Sequence, residues 1–287
     1  MNIIDDIKLQ YKIGGVANRL IYWNVAVFLI SLIFFFQFNL GVFTYPNWIL
    51  LSSNPDEVLH FPYTLLTYAF LHSGFWHLFF NMSVLNFSSR LFLTFFTQKQ
   101  FLGLYLLSAI FAGMAFVLGY YFLHLNATLV GASAAVMAIL VAATTYQPLM
   151  QIRLFLIGTI KLWHLTAVIL LLDAMQVLTE NTGGHIAHLA GAFFGFLYIK
   201  LLVNGIDLST NVTRVLDFFV NLFQPSKRTP FKKVHVNPKK PATKTASKIV
   251  MKDKHQQQID EILDKISQSG YDALTAEEKE FLFKAGK

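Results

Sequence analysis

Six residues of the 287-residue chain could do nucleophilic and proton-transfer chemistry together: His72, His77, Asn81, Ser133, His185 and His188. Imidazoles exchange protons near neutral pH. A serine hydroxyl becomes a nucleophile once a base takes its proton. Side-chain and backbone N–H groups can hold the oxyanion that the attack creates. His77 and Asn81 are four residues apart, so on a helix they share one face. Ser133 lies in Val130-Gly131-Ala132-Ser133-Ala134-Ala135. The glycine there allows a tight turn and a close backbone approach, and a helix starting at the serine leaves its first amides unpaired for an oxyanion. The chain has no cysteine, which excludes disulfides, thiolate metal sites and a cysteine nucleophile.

The elements that position these residues must be membrane helices. The chain is 55% hydrophobic and only 14% charged, with 29 phenylalanines and a mean hydropathy of +0.50. That composition excludes an ordinary soluble enzyme and a disordered chain. Six apolar stretches are predicted as spans, at 20–41, 77–97, 103–123, 130–147, 162–179 and 185–203. The first is long for a signal peptide and has no small-x-small cleavage site, so it reads as a retained span. The expected fold is all-α, a six-helix polytopic membrane protein.

Charge orients the spans. Lys8, Lys12 and Arg19 precede the first, Lys99 follows the second, Arg153 and Lys161 follow the fourth, and Lys200 and every later basic residue end or follow the sixth. Arg90 lies toward the same end of span two. The loops 42–76, 124–129 and 180–184 contain no Lys or Arg. The positive-inside rule then predicts both termini in the cytoplasm. The outer loop 42–76 is apolar enough to rest in the membrane interface or pack on the span tops. Spans two, four and six run inward, so His72, His77, Asn81, Ser133, His185 and His188 are expected at one depth near the outer face. Ala134 and Ala138 form a small-residue face on span four, and Gly191 and Gly195, with Ala187 before them, form one on span six. Such faces let two backbones approach and would bring Ser133 to His188.

Taken singly, each feature has a structural explanation. A serine in a span ordinarily bonds a carbonyl one turn back, paired glycines ordinarily serve packing, and a histidine at a span's outer end sits among headgroups. Their coincidence at one depth points to a serine nucleophile beside an imidazole. Asp173 reads as a lone acid deep in span five. Four imidazoles could hold zinc, but the chain has no His-Glu-x-x-His, and Asp56, Glu57 and Glu180 have no ligand spacing. No metal and no cofactor are therefore expected. Hydropathy shows no repeat between halves, which disfavours a transporter.

The organisation reads as a cytoplasmic N-terminus (1–19), the six-span domain (20–203), a segment of 204–256 and a C-terminal hairpin (257–287). Residues 204–287 hold 15 basic and 10 acidic residues and supply most of the formal charge of +7. Val212, Val215, Leu216, Phe219, Val220 and Phe223 alternate at helical spacing with Thr213, Arg214, Asp217 and Asn221, as in a helix on the inner membrane surface. Residues 224–256 read as a basic linker that anionic lipid could attract. Ile259, Ile262, Leu263 and Ile266 form a helical stripe, Gly270 stops it, and Thr275 with Glu278 has capping-box spacing before Phe281, Leu282 and Phe283. The partner of this hairpin is not legible.

Three motifs, in order, resemble those of the rhomboid intramembrane serine proteases. His72-Ser73-Gly74-Phe75-Trp76-His77-Leu78-Phe79-Phe80-Asn81 is similar to the family's His-x4-His-x3-Asn; Gly131-Ala132-Ser133-Ala134 resembles Gly-x-Ser-Gly; and Ala187-His188-Leu189-Ala190-Gly191, with Gly195, resembles Ala-His-x-x-Gly-x3-Gly. The resemblance covers about residues 20–203. It implies Ser133 as nucleophile and His188 as base and then acid. His77, Asn81 and the Ser133 amide would hold the oxyanion, and His72 would brace the loop. His185 competes as base, but only His188 has glycines three and seven residues on. The family's dyad implies no third, acidic member. Ala134 replaces a glycine, and Met137 stands where an aromatic residue often packs on the imidazole. A thioether–ring contact could substitute there. The implied activity is endoproteolysis of single-span or polytopic membrane-protein substrates in the bilayer, near its outer face, with no nucleic-acid partner. The implied location is a bacterial inner membrane, with substrates admitted beside span five. The alternative is a weak or inactive relative that binds membrane proteins for quality control.

Overall fold

The computed structural model describes residues 2–155, 158–177, 181–223 and 246–285. The chain divides into two compact units, residues 1–226 and 227–287.

The first unit opens with α1 (Ile3–Ile13), capped by the Asn2 side chain, and α2 (Gly15–Phe34). The first apolar stretch, expected as helix to residue 41, is helical only to Phe34. Beyond it β1 (Phe36–Gln37) pairs antiparallel with β2 (Val42–Phe43). Gly41, at φ +67°, makes the turn, and rings of Phe36, Phe43 and Tyr45 pack together. Aromatic residues favour a strand ladder where a left-handed glycine reverses the chain. Next come β3 (Leu51–Ser52), α3 (Pro55–His60), α4 (Thr64–Thr67) and a 3₁₀ turn at Tyr68–Phe70. This loop packs onto the bundle. The Tyr68 hydroxyl donates to Ala109 O (2.8 Å), the Tyr105 hydroxyl donates to Ala69 O (3.3 Å), and Leu51 is fully buried. Trp48, Leu59 and Tyr63 stay exposed.

The bundle proper is α5 (Phe75–Leu93), α6 (Gln98–Leu123), α7 (Ser133–Tyr146), α8 (Leu162–Gln176) and α9 (Thr182–Val203), with α2 on its flank. A capping box of Thr97 and Gln100 starts α6. Before α7, β4 (Thr128–Leu129) pairs with β3 and ties the outer loop to the serine segment. Between the fourth and fifth predicted spans, β5 (Gln151–Leu154) pairs antiparallel with β6 (Gly158–Lys161), with Gly158 at φ +89°. The helix α7 is apolar all round and is buried from Ala134 to Ala143 except at the half-buried Met137, because α5, α6, α8 and α9 all touch it. By length and composition α2, α6 and α9 can cross a membrane, and α7 and α8 are shorter apolar helices. The fold is an all-α membrane-type bundle. After α9, Asp207 accepts from the Ser209 hydroxyl (2.6 Å) and the Gln100 amide (3.2 Å), fastening α10 (Ser209–Phe223) to α6. Val215, Phe218, Phe219, Val220 and Leu222 on α10 are exposed.

In the second unit α11 spans Ala246–Ser269, so the C-terminal helix begins eleven residues before the expected boundary at 257. Gly270 at φ +79° ends it, and a 3₁₀ turn (Tyr271–Ala273) leads to α12 (Ala276–Ala285). The Thr275–Glu278 box forms, and Lys265 Nζ donates to Glu278 at 2.8 Å. Ile262 and Leu274 are buried, whereas Leu263 of the predicted stripe is exposed. The 224–245 part of the basic linker, and Glu180, lie outside the described residues.

Candidate active site

Two glycine contacts set the distance between the helices that carry the serine and the histidine. A Cβ built on Gly191 would lie 2.2 Å from Ala134 O, and one on Gly195 would lie 2.2 Å from Ala138 O. No residue larger than glycine fits there without moving a backbone. The two small faces therefore meet, and α9 lies directly against α7. Across this junction His188 Nε2 stands 2.6 Å from Ser133 Oγ. The serine is the first residue of α7, so the amides of its first turn have no carbonyl one turn back to bond.

Gly131 has φ +129°, a conformation that L side chains rarely adopt. A Cβ there would sit 2.9 Å from both Cε1 and Nε2 of His77 and 3.5 Å from Ser133 Oγ. The glycine thus lets the His77 ring edge and the serine hydroxyl flank one small volume. The Ser73 backbone N–H faces His77 Nδ1 at 3.4 Å, and the Ser73 hydroxyl lies 3.0 Å from it. A nitrogen that accepts from a backbone amide carries no proton, so the neutral ring holds its proton on Nε2, the atom facing Gly131. Asn81 Nδ2 donates to His77 O at 2.8 Å, one turn back on α5, and its Oδ1 is buried with no hydrogen-bond partner. Asn81, Ser133, Phe80, Met137 and Ile169 line a cleft of about 190 Å³ between α5, α7 and α8. His72 is fully buried, its ring lies edge-on to His77 with centroids 5.1 Å apart, and its carbonyl accepts from the Tyr45 hydroxyl at 2.9 Å.

One acid was misread from the sequence. Asp173 is not deep in its helix facing an unknown partner: α8 ends at Gln176, which puts Asp173 within a turn of its end. Its Oδ1 lies 3.0 Å from His188 Nδ1 and 2.5 Å from His185 Nδ1. The resemblance implied no acidic third member; the structure places this carboxylate against the imidazole that faces Ser133. His185, the rival base, bonds Asp173, whereas the ring nitrogen facing Ser133 is that of His188. Among the described residues, Asp173, His185 and His188 are the group whose ligand atoms, within 4.8 Å of one another, could hold a metal ion. It differs from the four-imidazole set considered from sequence, in which His72 and His77 took part. Besides Asp173, Ser73 and Tyr45 were overlooked; the four-residue spacing of Ser73 and His77 was the available signal for the former.

A helical bundle with a serine at one helix start, a histidine on a glycine-faced neighbour and a paired histidine and asparagine opposite defines a class, and comparison with known proteins gives the same class. Residues 60–205, about half of the chain, match the family model of the Rhomboid domain. The chain belongs to the rhomboid family, a family of intramembrane proteases, and with its apolar helices it is an integral membrane protein. Residues 250–284, which contain most of α11 and α12, match a family of unknown function. No curated protein and no solved structure matches the chain.

Proposed function

We propose that the protein is an intramembrane serine endopeptidase that cleaves transmembrane segments of single-span or polytopic membrane proteins near the outer membrane face. The observation that carries this reading is the 2.6 Å contact between Ser133 Oγ and His188 Nε2. Ser133 Oγ attacks the scissile carbonyl carbon and its proton passes to His188 Nε2. The carbonyl electron pair moves onto oxygen, where the Ser133 amide, His77 Nε2–H and the Asn81 amide donate to it. The intermediate collapses, the C–N bond breaks, and His188 returns the proton to the leaving amine. Water then hydrolyses the acyl-enzyme by the same sequence, with His188 again as base. The cleft beside Ser133 has apolar walls of Phe80, Val84, Met137 and Ile169, which suit an apolar side chain of the substrate. A substrate helix hides its amides in its own hydrogen bonds, so segments that unwind easily should be cut best. Six apolar stretches support six crossings, and the confinement of Lys and Arg to one set of loops supports both termini being cytoplasmic.

The test is cleavage of a transmembrane reporter by the purified protein in liposomes. Ser133→Ala and His188→Ala should abolish it. Undiminished cleavage by either variant refutes the reading, and in that case a non-catalytic relative that binds membrane proteins becomes the better description.

A further inference from the structure

Among the buried ionisable groups that the mechanism above does not use, Asp173 is the acid that faces the catalytic imidazole. Asp173 is 8% exposed, within a turn of the end of α8, and its Oδ1 faces Nδ1 of both His188 and His185. From this geometry, and resting on the assignment of Ser133 and His188, we infer that Asp173 is a positioning residue that completes a Ser133–His188–Asp173 relay.

The argument starts at the serine. To take the Ser133 proton, His188 Nε2 must be unprotonated, so the neutral ring must carry its proton on Nδ1. Nδ1 stands 3.0 Å from Asp173 Oδ1, the distance of an N–H···O bond to a carboxylate. That bond holds the required tautomer and fixes the ring plane. When Nε2 gains the serine proton, the ring becomes a cation directly facing the carboxylate, which lowers the energy of the state that precedes bond breakage. Asp173 gains and loses no proton; the proton shuttles only between Ser133, His188 and the leaving amine. His185 has a separate part: its Nδ1–H donates to the same Oδ1 and so holds the carboxylate in place. A buried carboxylate in an apolar helix is costly unless paired, and here both partners are imidazoles of α9. The other titratable groups around His188 are His77 from α5 and His185 from its own helix. The serine hydroxyl comes from α7, and α6 brings the Tyr120 hydroxyl against Gly183, a turn away.

Asp173→Asn keeps the shape and removes the charge, and its amide can offer Nδ1 a proton, which favours the wrong tautomer. The full-length protein in liposomes is assayed for reporter cleavage. The expected result is a fall in kcat on the order of 10²–10⁴ with KM little changed. The ring ¹⁵N chemical shifts of His188 should report the proton on Nδ1 in the wild type and on Nε2 in the Asn variant. A merely structural clasp between α8 and α9 would scale the rate without changing that tautomer. Wild-type kcat, or a lowered rate with an unchanged tautomer, overturns the proposal. If the Asn variant fails to fold, Asp173→Ser, which removes the carboxylate without adding bulk, carries the same expectations. Full activity of Ser133→Ala or His188→Ala would instead sink the underlying assignment, and this inference with it.

Discussion

Substituting Gly191 by alanine tests the closest backbone approach in the site. The added Cβ would lie 2.2 Å from Ala134 O and 2.9 Å from its carbonyl carbon, whereas real Cβ atoms essentially never come within 3.0 Å. The obstacle is backbone, so it cannot rotate away, and α9 must retreat from α7 by about 0.8 Å or more at that level. His188 is three residues before Gly191 on the same helix and retreats with it. Its 2.6 Å contact with Ser133 would then lengthen to about 3.4 Å, beyond a good O–H···N bond. A displacement near 1 Å from attacking geometry can cost about 10²-fold in rate, and overpacking costs about 1–3 kcal/mol of stability. Gly195→Ala is the control. Its Cβ meets Ala138 O at the same 2.2 Å, but seven residues from His188, so stability should fall comparably and activity less. The assays are the rate of Ser133 labelling by a serine-reactive phosphonate and the melting temperature. Gly191→Ala with a wild-type labelling rate, or equal activity losses in the two variants, would refute the claim that this contact sets the serine–histidine distance.

Three further outcomes are expected. His77→Ala should lower kcat by about 10²–10³, the usual cost of one oxyanion donor, with little change in KM; a loss confined to KM would move His77 from the oxyanion to substrate binding. Chelators should leave activity unchanged, because His188 Nδ1 stands at the N–H···O distance of 3.0 Å from Asp173 and His188 Nε2 is engaged by Ser133; inhibition reversed by added zinc would contradict this. In the C-terminal hairpin, the Lys265 ammonium and the Thr275 amide hold the Glu278 carboxyl down to about 2, from 4.5. A depressed carboxylate stabilises the fold above its unfolded value and loses that contribution as pH falls through its folded one. The Leu274 methyl resonance of the full-length protein should therefore keep its folded position at pH 5 and move between about pH 4.5 and 2. Lys265→Ala should shift that change to higher pH; an unchanged midpoint would separate the ion pair from the hairpin's stability.

How much of this was legible depended on whether a feature is local. Ala134, Ala138, Gly191 and Gly195 were readable because four-residue spacing of small side chains on two helices has one geometric consequence, close backbone approach. The Thr275–Glu278 box and the stop at Gly270 were readable for the same reason, since each is complete within a few residues. Asp173 was not, because its partners depend on the height and rotation of α8 against α9. The apolar stretch read to residue 179 made the acid look deep, whereas α8 ends at Gln176, three residues beyond it. The strand pairs 36–37 with 42–43 and 151–154 with 158–161 were hidden by their apolar content, which in a run of spans does not stand out from helix ends; the left-handed glycines Gly41 and Gly158 are the local signals beside them. Ser73 stood inside a motif read for its histidines, and its bond to His77 depends on the turn before α5.

The most direct test is to find where a serine-reactive phosphonate bonds the protein. The wild-type protein, treated in liposomes and digested, should carry one adduct, on the peptide containing Ser133. Ser133→Ala should carry none, and His188→Ala should react at least 10²-fold more slowly, as for a serine that has lost its base. An adduct on a different residue, or labelling of wild-type rate in either variant, would contradict the assignment of Ser133 and His188 as the reacting pair.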